Sequence, residues 1–130
     1  MKIDVLPHDR RDNQVTNNVA KLLRRVRAAT GSDQQLDRDI ARYLIVPADK
    51  SEDPPPYTAS VDACIALMER VMPGWHWHVG YGPKGVMPYA SLSKGKIRVE
   101  AIAATVPLAL LTALLEAQNA DGTEQGSFRR

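Results

Sequence analysis

The residues of this chain best suited to chemistry lie in one short run and on one strand after it. The run is Trp75-His76-Trp77-His78, and the later residue is Arg98. Two imidazoles spaced His-x-His on a strand project to the same side and can converge on one metal ion. A catalytic zinc needs a third protein ligand and an open position. Glu100 and the remote His8 are the only candidate thirds. No CxxC or HExxH pattern accompanies them, so the simpler reading is two half-exposed strand histidines and no metal site. The indoles of Trp75 and Trp77 can stack on a purine, a contact worth about 1–3 kcal/mol per base. The simpler reading places them in the core face of a sheet. Arg98, with imidazoles beside it, suits a phosphate. Its simpler fate is a surface pairing with Glu100, worth little.

Two further groups carry reactive or charged side chains. Lys21, Arg24, Arg25 and Arg27 crowd one side of a helix and could meet a nucleic-acid backbone or a partner protein. Charges opposite an apolar stripe are more often a solvated face. Cys64, the one cysteine, falls within an apolar stripe and reads as a small buried hydrophobe. There is no GxSxG, no Walker loop and no GxGxxG. The expectation is a chain without catalytic residues and without a cofactor, and hence not an enzyme. The candidate ligand contacts are Trp75, Trp77, His76, His78 and Arg98.

The elements that must position these groups follow from period and punctuation. In residues 15–30, Val15, Val19, Leu22, Val26 and Ala29 share a helical stripe, and Gly31 supplies a stop. Ser32 and Gln35 have capping-box spacing for a second helix carrying Leu36, Ile40 and Leu44, with Tyr43 beside them. Pro47 ends it. Residues 48–56 are polar and contain three consecutive prolines, which read as a linker. Thr58 or Ser60 caps a third helix over 58–72, with Val61, Ile65, Met68 and Met72 on its stripe. Pro73-Gly74 stops it.

The following run alternates. Trp75, Trp77, Val79 and Tyr81 point one way, and His76, His78 and Gly80 the other. A Gly/Pro-rich turn leads to a second strand with Ala90 and Leu92. Lys94-Gly95 turns into a third strand with Ile97, Val99 and Ala101, so that Arg98 and Glu100 share the histidine face. Thr105 caps a leucine-dense helix in which Pro107 sits in the first turn. Its apolar face is too wide for a single contact, so the helix is either sandwiched inside or shared with a partner, and in so small a chain a subunit contact is expected. Residues 1–14 read as a lead-in and 119–130 as a mobile polar tail.

The fold class is therefore α+β: a short antiparallel sheet flanked by helices, αβα-sandwich-like, preceded by an N-terminal helical hairpin. The hairpin covers 1–47 and the αβββα unit 57–118, within one compact domain. At 130 residues one domain with its own core is the default. A formal charge of +2 gives no strong field toward nucleic acid or anionic membrane. One cysteine allows no intramolecular disulfide and suits a reducing compartment. No signal-peptide h-region and no membrane-spanning apolar run is read, so a bacterial host cytoplasm is expected.

The run Leu36-Asp37-x-x-Ile40-Ala41, then PPPYTASVDACIALMERVMPGW, then ATVPLALLTALLEA, resembles the phage ABA-sandwich domain proteins. These are small phage and prophage proteins, mostly of unknown function. The resemblance covers 32–117 and implies the same sandwich. It also implies a role, since some small phage proteins of similar build sequester cyclic ADP-ribose-type signals made by bacterial defences such as Thoeris. The expectation is a non-catalytic accessory protein that antagonises host defence by trapping a cyclic nucleotide, as a homo-oligomer without membrane contact. The alternative is a nucleic-acid-binding or host-protein-binding inhibitor, anti-CRISPR-like or regulatory, acting through Lys21, Arg24, Arg25 and Arg27.

Overall fold

In the computed structural model, the described residues form four helices and three strands in the order α1 (Pro7–Ala28), α2 (Gln34–Leu44), α3 (Val61–Val71), β1 (His76–Gly80), β2 (Tyr89–Lys94), β3 (Ile97–Ile102) and α4 (Val106–Phe128). The structure describes residues 7–45 and 53–128, and side chains over 18–45 and 53–119. The α+β class and the three-stranded antiparallel sheet are as read from sequence. Among the described residues no helix is long and apolar enough to cross a membrane.

Local chemistry sets most boundaries. Ser60 caps α3 by accepting from the Ala63 N–H at 3.1 Å, and Thr105 caps α4 by accepting from the Leu108 N–H at 3.3 Å. Such caps satisfy N–H groups that the first helical turn leaves without partners. Gly74, at φ +90°, takes the left-handed conformation that ends the α3 segment. Gly95, at φ +61°, opens the two-residue turn between β2 and β3, a position that favours glycine in hairpins.

Four expectations about the helices are corrected. α1 begins at Pro7, inside the expected lead-in, and ends at Ala28 before Gly31, which is not in the left-handed region. α2 is capped by Asp33 rather than Ser32: the Asp33 carboxylate accepts from the Leu36 N–H at 3.0 Å. Tertiary contact selects Asp33, whose own N–H donates to Thr58 Oγ1 at 2.8 Å. The Thr58 N–H in turn donates to the buried Asp37 carboxylate at 2.8 Å, so Thr58 clasps α2 to the start of the sandwich and does not cap α3. The buried stripe of α3 is Cys64, Leu67 and Met68, with Val61 and Ile65 only half-buried. That rotation places the Cys64 thiol against backbone carbonyls, a tertiary contact no periodicity encodes. α4 continues to Phe128 instead of stopping at Gln118, so most of the expected tail is helical. Val15 lies outside the described side chains.

The leucine-dense helix organises the core. Leu108, Leu110, Leu111, Leu114 and Leu115 are all fully buried, as are Ala109, Ala113 and Ala117. α4 touches all three strands as well as α1 and α3. It is apolar all round because it is the middle layer, with the sheet on one side and α1 and α3 on the other. Its wide apolar face is thus satisfied within one chain, which removes the sequence argument for a subunit contact there. The expected flanking of the sheet by helices on both sides is corrected: α3 packs on α4 rather than on the sheet, because α4 already occupies the apolar sheet face, and α2 packs on α1.

The sheet order β1-β2-β3 leaves β2 central. Its register pairs Trp77 with Leu92 and Leu92 with Val99, then Val79 with Ala90 and Ala90 with Ala101. Directly paired residues share a face, and Leu92, Ala90 and Ala101 are buried, so this is the face α4 covers. The opposite face carries His76, Ser93 and Arg98 in one row, His78, Ser91 and Glu100 in the next, and Gly80, Tyr89 and Ile102 in the third. No helix among the described residues covers it.

Candidate ligand-binding face

The uncovered sheet face is bounded at one end by the loop joining β1 to β2. Two glycines with positive φ, Gly82 at +75° and Gly85 at +73°, shape this loop. The Met87 N–H donates to the Tyr81 carbonyl at 2.7 Å, and the Gly85 N–H to the Gly82 carbonyl at 3.1 Å. These bonds fold the loop on itself and hold Tyr81, Val86 and Met87 outward, where all three are exposed. Large apolar groups clustered in the open mark a contact surface more often than isolated ones do.

Between the loop and the sheet lies a solvent-open hollow of about 750 Å³. Its aromatic part is built on Gly80. The Tyr89 ring lies so close over this residue that a Cβ there would sit 3.0 Å from Cε1 and 3.3 Å from the hydroxyl oxygen. The His78 ring is tilted 39° to it at a centroid distance of 5.8 Å. Tyr81, Met87 and Ile102 form the apolar rim, and Glu100 brings a carboxylate. Gly80→Ala should therefore displace the Tyr89 ring while costing only about 1 kcal/mol or less, because the obstacle is a side chain with open space beside it. The check is loss of the Tyr89–His78 ring contact by NMR in a variant whose melting curve barely moves.

The five residues expected at a ligand site are divided between the two faces. His76, His78 and Arg98 do share the open face, as the alternation required. Of these only His78 lines the hollow. Arg98 pairs with Glu100 on its own strand at 2.9 Å, with both side chains mostly exposed, so the pair is weak and easily exchanged for a ligand contact. Trp75 is corrected: it is 7% exposed and belongs to the core, offering no ring face to a ligand. Trp77 is 43% exposed, but it pairs with Leu92 and lies on the α4 side. The indoles cannot stack a ligand that the histidines also touch. Sequence reasoning missed Met87, Tyr89 and Ile102, and its placing of Tyr81 on the tryptophan side is corrected: β1 ends at Gly80, so Tyr81 belongs to the loop and lines the hollow with His78. The available signal was the Gly/Pro-punctuated loop with an aromatic at each end.

The basic face is partly committed elsewhere. Arg25 bridges to Asp39 on α2 at 2.5 Å, and Arg27 bridges to Glu116 on α4. Two of the four cations thus tie α1 to its neighbours, while Lys21 and Arg24 are exposed.

Cys64 is fully buried. Its thiol donates to the Tyr57 carbonyl at 3.0 Å and approaches that of Pro107 at 3.7 Å. Burial, reinforced by the Asp37 carboxylate, pushes its pKa up to about 12, the opposite of what a nucleophilic thiolate requires. Among the described residues no three of His, Cys, Asp and Glu converge to hold a metal. No protein-family model, curated protein or solved structure matches the chain.

Proposed function

We propose that the protein is a non-catalytic binding protein whose ligand face is the uncovered side of the sheet. The observation that carries this reading is the hollow beneath the β1–β2 loop, with the His78 and Tyr89 rings in its wall. Small-molecule sites are concave and mostly apolar, with a few oriented polar groups, and the hollow has that character. Aromatic rings there suit a nucleobase, and Glu100 can accept from an exocyclic amine or a ribose hydroxyl. Arg98 and His76, farther along the same face, suit a phosphate. A compact cyclic nucleotide meets both requirements. Together with the resemblance to phage ABA-sandwich proteins, this supports an accessory role in which a cyclic nucleotide signal of host defence is sequestered in the bacterial cytoplasm.

The test is a thermal-stability screen against cyclic nucleotides. A ligand at a hundred times its dissociation constant stabilises the native state by about 2.7 kcal/mol, a melting shift of several degrees. Tyr89→Ala should abolish that shift without unfolding the protein. If no cyclic nucleotide moves the melting temperature of a folded sample, the sequestration reading is lost. The alternative, nucleic-acid or host-protein binding through the basic side of α1, has Lys21 and Arg24 exposed and requires Arg25 and Arg27 to exchange their ion pairs with Asp39 and Glu116.

A further inference from the structure

We infer that β3 is a self-pairing edge, through which two copies of this chain join their sheets into one six-stranded antiparallel sheet. This goes beyond the ligand reading and does not rest on it.

The free edge of β3 has a definite chemistry. Among the described residues, β3 contacts β2 along one edge and α4 across one face. Its other edge has no strand beside it among the described residues. The Ala103 N–H donates to the Pro88 carbonyl at 3.2 Å, which extends the β2–β3 register by one pair. Residues 97, 99, 101 and 103 therefore turn their backbone groups toward β2. By alternation the N–H and C=O groups of Arg98, Glu100 and Ile102 point to the free edge. An unpaired row of this kind is a template for another strand unless it is covered or blunted by proline, a bulge or charged side chains, and charges deter any partner that does not match them. β3 has no proline or glycine, and Ile97, Val99 and Ile102 are β-branched.

The side chains select the partner. Antiparallel pairing of β3 with itself about Val99 sets Arg98 of each copy opposite Glu100 of the other. Both pairs are then of opposite charge on the open face. On the α4 side, Val99 meets Val99 and Ile97 meets Ala101, so the half-exposed Val99 and Ile97 are covered and the two apolar faces become continuous. Ile102, 64% exposed, falls beside the Lys96 stem of the other copy. Shifting the centre to Arg98 or to Glu100 opposes like charges, which is destabilising. The favoured register thus closes a two-fold dimer with self-complementary charge. β1, the other edge, lacks this property: pairing it with itself opposes histidines and Gly80 on the open face and Trp77 and Val79 on the other, with no charge pair, and pairing it with β3 of another copy gives an open-ended chain. Glu100 and Ile102 also line the hollow, so the dimer brings Arg98 of the other copy to its rim.

The experiment is sedimentation velocity over a concentration series on three chains: wild type, Arg98→Glu and Glu100→Arg. The wild type should show a monomer–dimer equilibrium. Each single variant, which opposes four like charges along the seam, should associate at least roughly tenfold more weakly, with unchanged circular dichroism. The decisive sample is the equimolar mixture of the two variants. There the two carboxylates that one variant carries at positions 98 and 100 face the two guanidiniums that the other carries at positions 100 and 98. Recovery of a dimer in the mixture supports pairing through the β3 seam, since a defect internal to each chain could not be repaired by mixing. A wild type monomeric at every concentration, or single variants that dimerise as well as wild type, overturns the proposal. So does a mixture that stays monomeric.

Discussion

Leu111→Ala should lower the free energy of unfolding by about 2–5 kcal/mol, a fall in melting temperature of roughly 10–20 °C for a domain of this size. Leu111 is fully buried near the middle of the most buried stretch of α4. Its neighbours belong to the layer between the sheet and the α1/α3 side, so truncation leaves a void that cannot be filled by solvent or by a shift of one surface element. Total stabilities are commonly about 5–15 kcal/mol, so this one change can remove a large share. The loss should be independent of protein concentration. That distinguishes a middle-layer helix from one whose leucines join two subunits, because the latter would lose mass in solution before it lost melting temperature. Urea denaturation at two protein concentrations reads the free energy, and sedimentation velocity reads the mass. A Leu111→Ala variant with an unchanged midpoint would refute the central position of α4.

Native Cys64 should react with a thiol reagent about a thousandfold more slowly near neutral pH than the same residue in denaturant. The thiol pKa moves from 9.0 to about 12 on folding, which reduces the thiolate by that factor before access is considered. Labelling should then track opening of α3 rather than the intrinsic chemistry. The same shift has a consequence for stability with a definite sign. The unfolded thiol releases its proton near pH 9 while the native one holds it until about pH 12. The unfolded state therefore binds fewer protons in that window, and stability falls as pH rises through it, by up to about 1.4 kcal/mol per pH unit. Tyr57, whose pKa is also raised by burial and, to a lesser extent, by Asp37 and Cys64 against an opposing pull from Arg70, adds to the loss in the same direction. Cys64→Ala should flatten the alkaline limb of the stability profile, on top of a pH-independent loss of about 1 kcal/mol from truncating a buried side chain. Rapid labelling of the folded protein at pH 7 would contradict the burial of this thiol.

What could be read from the chain alone was whatever depends on neighbours in sequence. Alternation over His76–Gly80 placed His76 and His78 opposite Trp77, because successive side chains of a strand must point to opposite sides. The same rule put Arg98 and Glu100 on the histidine face. Caps at Ser60 and Thr105 were legible, since a side-chain oxygen reaches only N–H groups two or three residues away. The stop at Gly74 and the turn at Gly95 were legible because both need positive φ, which glycine adopts at little cost.

The tertiary structure decided which face of each element is covered. An all-round apolar helix has two physical solutions, a middle layer or a shared interface, and its composition is the same in both. Only the arrangement of α1, α3 and the sheet about α4 selects the first. It also decided the cap of α2, where Thr58, distant in sequence, holds the Asp33 backbone in place and leaves Ser32 aside. The hollow was illegible for a related reason. It exists because Tyr89 crosses the missing side chain of Gly80 and because a loop folds back over an open sheet face, and neither contact is local. The sequence determined the orientation of side chains along each strand and helix; burial, and with it the choice between core residue and ligand contact, belonged to packing between segments far apart in the chain.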